Sequence, residues 1–521
     1  MFRTAVLILL AAFIGFAQPE ASAQSKSPVL KDPSAKRSPF YLKRDRSTEI
    51  LFDAFMLVKK ANGGDPVAEH ELGLRYLQGD GFSPDTLKAA YWIGRAADQD
   101  YIPAVYNQGI LKNNGWGTEW DPFGAYKNFR RSADDRMPEG MYMTGLFYTD
   151  NLVVRRDYPE AYRWIRAAAD SGNSYALEVL DDFKKMGIMT QVRARREDVP
   201  EKDTIPAPAQ PARKAQSYWK PVFLELGTDT LADPDDSTIT REAMEVAGGA
   251  GDHGGGRRSD PAAGSGQSPD DAKAFDTIDK SAEAGSPEAL TFLGRRYDRG
   301  AGVPVDRVRA ALYYLRAVRC ESRWAPVLLW RLSSRPALYD ELTLRTGRGD
   351  PEAAYVWACL VARGFDRKLT EEQALDHLRR AARGGMTDAI IELAMWHYAG
   401  LVVPADNARG DSLMERAARL GSREAEIRLA MSALRRENGA NAGPELLNTL
   451  AVWEKDGSVL AQVMLGYCFE GGRGVPASIP DAVSYYRKAA QRGSRIAYDL
   501  LRNLYDRRRP GGPGWEVDDG G

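Results

Sequence analysis

Few residues in this 521-residue sequence are of the types that usually perform chemistry. Its four histidines, His70, His253, His377 and His397, form no HExxH arrangement, and none stands near a pair of cysteines. A protein zinc site needs such ligands at a fixed spacing on one helix or in short pairs. The sequence therefore predicts no metal site, no cofactor and no catalytic residue.

Two glycine-rich stretches resemble functional motifs but lack their context. GSGQS at 264–268 has the spacing of a nucleophile elbow, yet the strand before it and the helix after it that would expose the serine are missing. GAGDHGGG at 249–256 is not followed by the Lys and Ser or Thr of a phosphate-binding loop. We interpret both as linker, and the sequence favours a protein that is not an enzyme.

The N-terminal residues have the pattern of an export signal. Arg3 precedes a short apolar run from Ala5 to Ala17, and ASA at 21–23 forms a cleavage site of small residues. No later stretch approaches the roughly 20 apolar residues that a membrane-spanning helix requires. We therefore expect residues 1–23 to be a signal peptide, and the mature protein to be exported to the periplasm or secreted.

The charge balance and the cysteine content argue against further classes of protein. The 71 Lys and Arg residues balance 72 Asp and Glu residues, so no global field attracts nucleic acid. Cys320, Cys359 and Cys468 are too few for the disulfide framework of a small exported scaffold. We expect all three to be buried apolar residues, although one pair could form a bridge.

The sequence repeats itself with a period of 36 residues. A small residue opens each unit and is often followed four places later by a large apolar residue and then by Gly or Ala. The opening residues are Ala68, Ala104, Gly140, Ala176, Ala289, Ala325, Ala353, Ala389, Ala425, Ala461 and Ala497. Most successive steps are 36 residues, and a period in this range is typical of a stacked array of repeats.

Each unit contains two helical patterns. The first carries an apolar stripe beside a small residue, which lets a neighbouring helix approach closely. The second pairs an aromatic residue with two small residues one turn later, as in KAAYWIGRAAD at 88–98 and DAVSYYRKAAQ at 481–491. Such a pair cannot bury its apolar face alone and needs a neighbour on either side. The sequence therefore predicts an all-α solenoid of antiparallel helix pairs.

This pattern closely resembles the Sel-one-like repeat family, a 36-residue relative of the tetratricopeptide repeats, over most of residues 46–508. The residues that match the family signature include Leu465, Gly466, Gly474, Val475, Tyr486, Ala489, Ala490 and Gly493. The resemblance implies a right-handed α-solenoid. It also implies an adaptor or scaffold function, because members of the family usually serve protein complexes in that way.

One cysteine-rich branch of that family is linked to penicillin binding or β-lactam hydrolysis, and in it a disulfide pins each helix pair. The three cysteines of this chain occupy different places in their repeats. The sequence therefore departs from the branch, and the enzymatic association does not carry over.

The resemblance to tetratricopeptide arrays also indicates where a partner could bind. In those arrays the first helix of each unit lines a concave groove, which corresponds here to places two and six residues after each opening residue. Aromatic and apolar side chains at these places, and in the turn NNGWGTEWDP, would suit peptide or protein capture. The candidate partner-binding residues are Tyr106, Tyr142, Tyr355, Met395, Tyr467, Trp116 and Trp120. The alternative is that they form repeat-to-repeat core.

The repeat register divides the chain into segments. We expect a flexible segment at 24–45, a capping helix and N-terminal repeats at 46–188, and C-terminal repeats with a second capping helix at 271–509. A flexible tail follows at 510–521. Residues 189–270 are rich in Pro, Gly and charge, which predicts a low-complexity, largely disordered insertion within the fourth repeat.

The register also predicts how the solenoid continues across the insertion. Residues 174–187 match a first helix without its second helix, and residues 271–284 match a second helix without its first. We therefore expect these two helices to pack directly against each other, with the insertion looping out between them.

These observations together favour an exported, non-enzymatic scaffold or adaptor that mediates protein–protein interactions in the cell envelope. The expected partner is a protein or a peptide segment, with a glycan as the alternative, and neither nucleic acid nor a membrane span is expected. The alternative function is a cell-wall or polysaccharide-binding module, because aromatic faces also stack on sugar rings. A β-lactam- or peptidoglycan-active hydrolase is the least favoured.

Overall fold

The computed structural model describes residues 46–185, 188, 236–247, 269–366, 368–436, 443–512 and 514–517. These ranges contain 23 helices and no strand. The predicted signal peptide, the segment at 24–45, most of the predicted insertion and the end of the tail lie outside the described residues. Among the described residues, none of the helices has the length and apolar character needed to cross a membrane.

The helices follow one another in chain order with short connections. Those before the insertion are α1 (Arg46–Asn62), α2 (Pro66–Gln78), α3 (Thr86–Asp98), α4 (Ile102–Asn114), α5 (Pro122–Asp134), α6 (Pro138–Asp150), α7 (Tyr158–Asp170) and α8 (Ser174–Lys185). Those that follow are α9 (Asp236–Ala247), α10 (Pro269–Glu283), α11 (Pro287–Arg299), α12 (Arg307–Arg319), α13 (Ala325–Ser333), α14 (Pro336–Gly347), α15 (Pro351–Ala362), α16 (Glu371–Arg383), α17 (Thr387–Ala399), α18 (Asn407–Arg419), α19 (Arg423–Arg436), α20 (Pro444–Lys455), α21 (Val459–Gly471), α22 (Ile479–Gln491) and α23 (Arg495–Asp506).

Caps of two kinds fix the ends of the helices within a repeat. Many second helices begin after an aspartate whose carboxylate accepts a hydrogen bond from a backbone N–H of the first turn, at 2.8–3.0 Å. These aspartates are Asp85, Asp121, Asp157, Asp306 and Asp406. Many first helices end at a glycine in the left-handed conformation, which favours glycine because it lacks a Cβ.

The small residue after the apolar stripe is the point where the two helices of a repeat touch. A Cβ at Gly294 would lie 2.5 Å from the ring of Tyr314, and one at Gly466 would lie 2.6 Å from the ring of Tyr486. The aromatic residue of the second helix thus packs on the backbone of the first. The motif read from the sequence is therefore a packing motif, and the prediction of an all-α solenoid of antiparallel helix pairs is confirmed.

The shortened repeat at α13 and α14 changes the packing order. Its two helices are joined only by Ser334 and Arg335. α12 packs against α13 and also directly against α15, the first helix of the next repeat. Part of the contact between successive repeats at this point is therefore made directly by α12 and α15, without the short pair between them.

The expected contact across the insertion is wrong. α8 buries Ala176, Val179 and Phe183 in a hydrophobic cluster with residues of α5, α6, α7 and the C-terminal helices α21 to α23. α10 instead packs against α11 and against α9, a helix from within the predicted insertion. α9 fills this place because it presents Ile239 and Ala243, both fully buried, to the same cluster as α10 and α11.

The helix predicted as the C-terminal cap packs on more than its neighbour α22. Tyr498, Leu501, Leu504 and Tyr505 of α23 are buried in one cluster with residues of α5, α6 and α7. The Tyr498 hydroxyl donates a hydrogen bond to the Asp150 carbonyl oxygen at 3.2 Å. α23 therefore completes the core of the N-terminal repeats.

Asp150, at the end of α6, makes this contact sensitive to pH. Its carboxyl is buried beside Tyr498 and Tyr505, and burial raises its pKa to about 6 although Arg487 and Arg156 act in the opposite direction. The folded state thus favours the protonated carboxyl more than the unfolded state does, so stability is greatest below the unfolded pKa near 4.

We expect the free energy of unfolding to decrease by roughly 3 kcal/mol from this group as the pH rises from about 3 to 7. Asp150→Asn should remove that decrease, because an amide has no charge to bury. Urea titrations of both proteins across this range measure the difference, with the exposed Asp134→Asn as the control. Parallel curves for the wild type and Asp150→Asn would contradict the assignment.

Candidate functional site

Four of the seven predicted partner-binding residues are buried, so the expectation that they lie on an open groove is wrong for them. Tyr106 packs edge-on against Phe129, with ring centroids 5.5 Å apart, and Tyr142 packs against Tyr175 at 6.3 Å. Trp120 is buried edge-on against Tyr505 at 5.0 Å. The reason is the close stacking of successive elements, which turns these side chains toward neighbouring helices.

Tyr355 belongs to a buried charge network that joins four helices. Arg319, the last residue of α12, donates to the Tyr355 hydroxyl at 2.7 Å, to Asp388 at 2.6 Å and to both carboxylate oxygens of Glu424 at 2.8 Å. Arg428 adds a hydrogen bond to Glu424 at 2.9 Å. The network connects the first helices of three repeats to α12. Arg319 and Glu424 are 105 residues apart in the sequence.

The electrostatics of this network favour its charged state. Burial alone would raise the pKa of Glu424, but Arg319 and Arg428 outweigh that effect and lower it well below its usual range. Burial raises the pKa of the Tyr355 hydroxyl, which therefore remains protonated. Tyr355 is therefore part of a set of ion pairs and hydrogen bonds inside the array.

The other three predicted residues are only partly buried. Met395 packs against the core of the C-terminal half, and the Arg473 guanidinium lies 4.0 Å from the ring centroid of Tyr467. Trp116 packs against a small cluster around Ile93 and Leu111. Binding of a partner by these residues stays a prediction.

The turn after Trp116 borders an open cleft that the sequence analysis did not identify. The cleft has a volume of about 320 Å³, which is near the lower end of the range for ligand sites. It lies between α3, α4 and the turn that joins α4 to α5. Its lining residues are Leu87, Ala90, Tyr91, Gln108, Leu111, Lys112, Gly117 and Thr118.

Two large side chains on one face of α3 stand at this cleft. Leu87 is 72% exposed and Tyr91, one helical turn later, is 58% exposed. Several other second helices carry polar residues at the register of Tyr91, such as Arg163 and Ser484, and α12 carries Leu312, which is buried. An exposed aromatic residue at this register departs from both patterns. That departure from the repeat was the signal that could have revealed the site.

Gly117 lets the turn after α4 lie close against the backbone of α3 at the base of the cleft. Its backbone has a φ of 67°, and a Cβ there would lie 1.9 Å from the carbonyl oxygen of Thr86. The turn is therefore pressed against the start of α3, beside Leu87. Lys112 supplies the positive charge among the lining residues, so the cleft combines apolar surface with one cation.

The residues that line the cleft include no cysteine, histidine or carboxylate. The three cysteines are free thiols buried elsewhere, and burial raises the pKa of Cys320 to about 12 and that of Cys468 to about 11. Among the residues that the structure describes, no group of three or more His, Cys, Asp or Glu side chains could hold a metal ion. The cleft offers shape, apolar contact and charge, which are means of binding.

A chain of stacked antiparallel helix pairs defines an α-solenoid repeat protein, and comparison with known families specifies the kind. Seven segments match the Sel1 repeat: residues 66–101, 102–135, 138–173, 287–322, 350–386, 387–422 and 459–494. The chain belongs to the Sel1 repeat family. Proteins of this family are generally non-catalytic scaffolds for protein–protein interactions.

The chain is also similar to individual proteins, and it spans only about a quarter of the curated relative that it matches. An uncharacterized protein of Neisseria meningitidis serogroup B is 28% identical over 130 residues, which is 25% of this chain and 27% of the relative. A protective antigen present in uropathogenic Escherichia coli strains, which displays an SLR fold, is 20% identical, with 87% of this chain and 90% of that chain covered and a TM-score of 0.25. A Sel1 repeat protein from Oxalobacter formigenes is 20% identical, with 92% and 98% covered and a TM-score of 0.21.

Proposed function

We propose that this protein is an exported, non-enzymatic scaffold that binds a protein partner in the cell envelope, and that the cleft at Leu87 and Tyr91 is a docking site. The observation that carries the proposal is the pair of exposed apolar side chains at a cleft between two matched Sel1 repeats. Tyr is one of the residue types enriched in binding hot spots, and Leu87 adds apolar surface beside Tyr91.

The composition of the cleft also specifies the segment that it would accept. An apolar side chain would enter between Leu87 and Tyr91, and an acidic neighbour would meet Lys112. The expected ligand is therefore a peptide segment of a protein with an apolar anchor and a nearby carboxylate. A glycan that stacks on Tyr91 is the competing occupant.

Replacing both exposed side chains should abolish docking while preserving the fold. We expect Leu87→Ser with Tyr91→Ser to weaken partner binding at least tenfold, because each lost hot-spot contact costs about 1 kcal/mol or more. The measurement is a quantitative pull-down from envelope extract with wild-type and variant full-length chains. Leu177→Ser, at a 59% exposed residue of α8, is the matched control.

The same variants separate a protein partner from a glycan. A protein retained by the wild type and by Leu177→Ser, and lost from the double variant, supports the proposal. Binding of all three chains to the same set of proteins would refute the cleft. Retention on purified envelope glycan that the double variant loses would assign the cleft to a saccharide instead.

The export part of the proposal rests on the N-terminal pattern of Arg3, the apolar run and the small-residue site at 21–23. Its test is fractionation of cells that express the full chain, followed by sequencing of the mature N-terminus. We expect the protein in the periplasm or the medium, beginning near Gln24. An intact N-terminus in the cytosolic fraction would overturn it.

A further inference from the structure

α9 does not belong to the repeat pattern, although it packs on the repeats. Its sequence, DSTITREAMEVA, has neither the apolar residue and small neighbour of a first helix nor the aromatic and paired alanines of a second. It packs against α10 and α11 through Ile239 and Ala243, which are fully buried. Met244, the next residue, is 40% exposed. α9 is thus an amphipathic helix laid on the array.

Charged contacts join the start and the middle of α9 to the repeats. Asp236, at its start, pairs with the Arg295 guanidinium at 2.5 Å. Glu242, nearly two turns later, accepts a hydrogen bond from the Trp324 indole N–H at 3.0 Å and pairs with Arg323. The helix therefore presents acids, and the surface beneath it presents arginines and an indole.

The surface beneath α9 spans elements that are distant in sequence. Arg295 lies six residues after the opening Ala289, at the place where a first helix would line the groove of a tetratricopeptide-like array. A Cβ at Gly457 would lie 2.6 Å from a methyl carbon of Val246. We call the surface formed by Arg295, Arg323, Trp324 and Gly457 the Arg295 face.

The apolar residues of α9 have the spacing of a helix that binds in a groove. Ile239, Ala243 and Val246 recur at the i, i+4 and i+7 positions of one helical face. Arg295 and Arg323 are complementary in charge to the acids of α9. The apolar spacing and the charges thus point to one class of ligand for the Arg295 face, an acidic amphipathic helix.

We propose that the Arg295 face is a docking site for an acidic amphipathic helix of a protein partner, and that α9 is its built-in occupant. A partner helix with an acid, an apolar residue three places later and a second acid six places after the first competes with α9 for the same contacts. The inference goes beyond the cleft at Leu87 and Tyr91, because it concerns a different surface.

The test cuts the folded full-length chain on both sides of α9, so that α9 can dissociate from the repeats. Specific protease sites are placed at residues 228–232 and 250–254, and the cleaved chain is mixed with a fluorescent peptide of residues 233–250. We expect the peptide to bind the cleaved chain and to be excluded from the uncleaved one. Asp236→Ala with Glu242→Ala in the peptide, or Arg295→Ala in the chain, should weaken binding at least tenfold. The peptide variant Glu245→Ala is the control, since Glu245 pairs with Arg241 within α9.

Two results would overturn the proposal. If the cleaved chain unfolds or aggregates once the segment leaves, α9 is an integral part of the core. If the chain stays folded but the peptide does not exchange or does not depend on its two acids, the Arg295 face is not a docking site. Neither result depends on whether the cleft at Leu87 and Tyr91 binds a partner. The proposal for the Arg295 face can therefore be refuted without refuting the proposed function of the cleft, and the reverse.

Hydrogen exchange of the backbone amides in the uncleaved chain tests the proposal independently. We expect the amides of α9 to exchange faster than those of α11. Asp236→Asn with Glu242→Gln should accelerate exchange in α9 alone, and Glu245→Gln should not. Equal protection of α9 and α11, unaffected by the acids, would also overturn the proposal.

Discussion

Arg319→Met is expected to lower the free energy of unfolding by about 3–5 kcal/mol, because it leaves buried carboxylates without their partner. Arg319 contacts Glu424, Asp388 and Tyr355 at once, so one substitution affects four helices. Urea unfolding at neutral pH measures the change. Arg348→Met, at an exposed arginine in the turn after α14, is the matched control and should change the free energy by less than about 0.5 kcal/mol.

A second substitution identifies the uncompensated charge as the cause. Glu424→Gln combined with Arg319→Met should recover part of the loss, because a neutral amide costs less to bury than a carboxylate. The stability that the network supplies should also fall as the pH drops below about 4.5, since the folded pKa of Glu424 is lowered. A loss below about 1 kcal/mol for Arg319→Met would show that the network contributes little.

Leu501→Ala is expected to lower the free energy of unfolding by about 2–5 kcal/mol through the cavity that it leaves. Leu501 is fully buried between α23 and the N-terminal repeats. Removal of residues 495–521 should have a larger effect and yield an aggregating protein, because it exposes the cluster that Tyr498, Leu504 and Tyr505 also fill. Thermal melting and gel filtration measure both changes.

The control for this prediction lies on the opposite side of the same helix. Asn503 is exposed, and Asn503→Ala should leave the melting temperature within about a degree of the wild type. Removal of residues 518–521 should likewise be tolerated. A truncated chain lacking residues 495–521 that remains monomeric and melts normally would show that α23 is dispensable.

The repeat positions were predictable from the sequence because local packing dictates them. Gly466 must be small where Tyr486 lies on the helix backbone, and the same requirement recurs in unit after unit. The contacts between distant repeats were not predictable, because they depend on how the units are arranged in space. Arg319 and Glu424 carry no shared motif in the sequence, yet they meet across 105 residues.

The candidate site was predicted less well for a related reason. Places on the first helix were assigned to a groove by analogy with tetratricopeptide arrays, but Tyr106 and Tyr355 are packed against neighbouring helices. Tyr91 was overlooked because it lies on the second helix. α9 was not predicted because it lies within a segment whose Pro, Gly and charge content indicates linker.

The contact of α23 with the N-terminal repeats has a consequence for the order in which the chain can fold. The Tyr498 hydroxyl and the Asp150 carbonyl are separated by 348 residues, so closing this contact carries a large loop-closure entropy. During synthesis the repeats from α5 to α7 emerge long before the helices that complete their core. These repeats therefore remain incompletely packed until translation reaches α23, and a nascent chain interrupted earlier presents an unfinished apolar surface to chaperones and proteases.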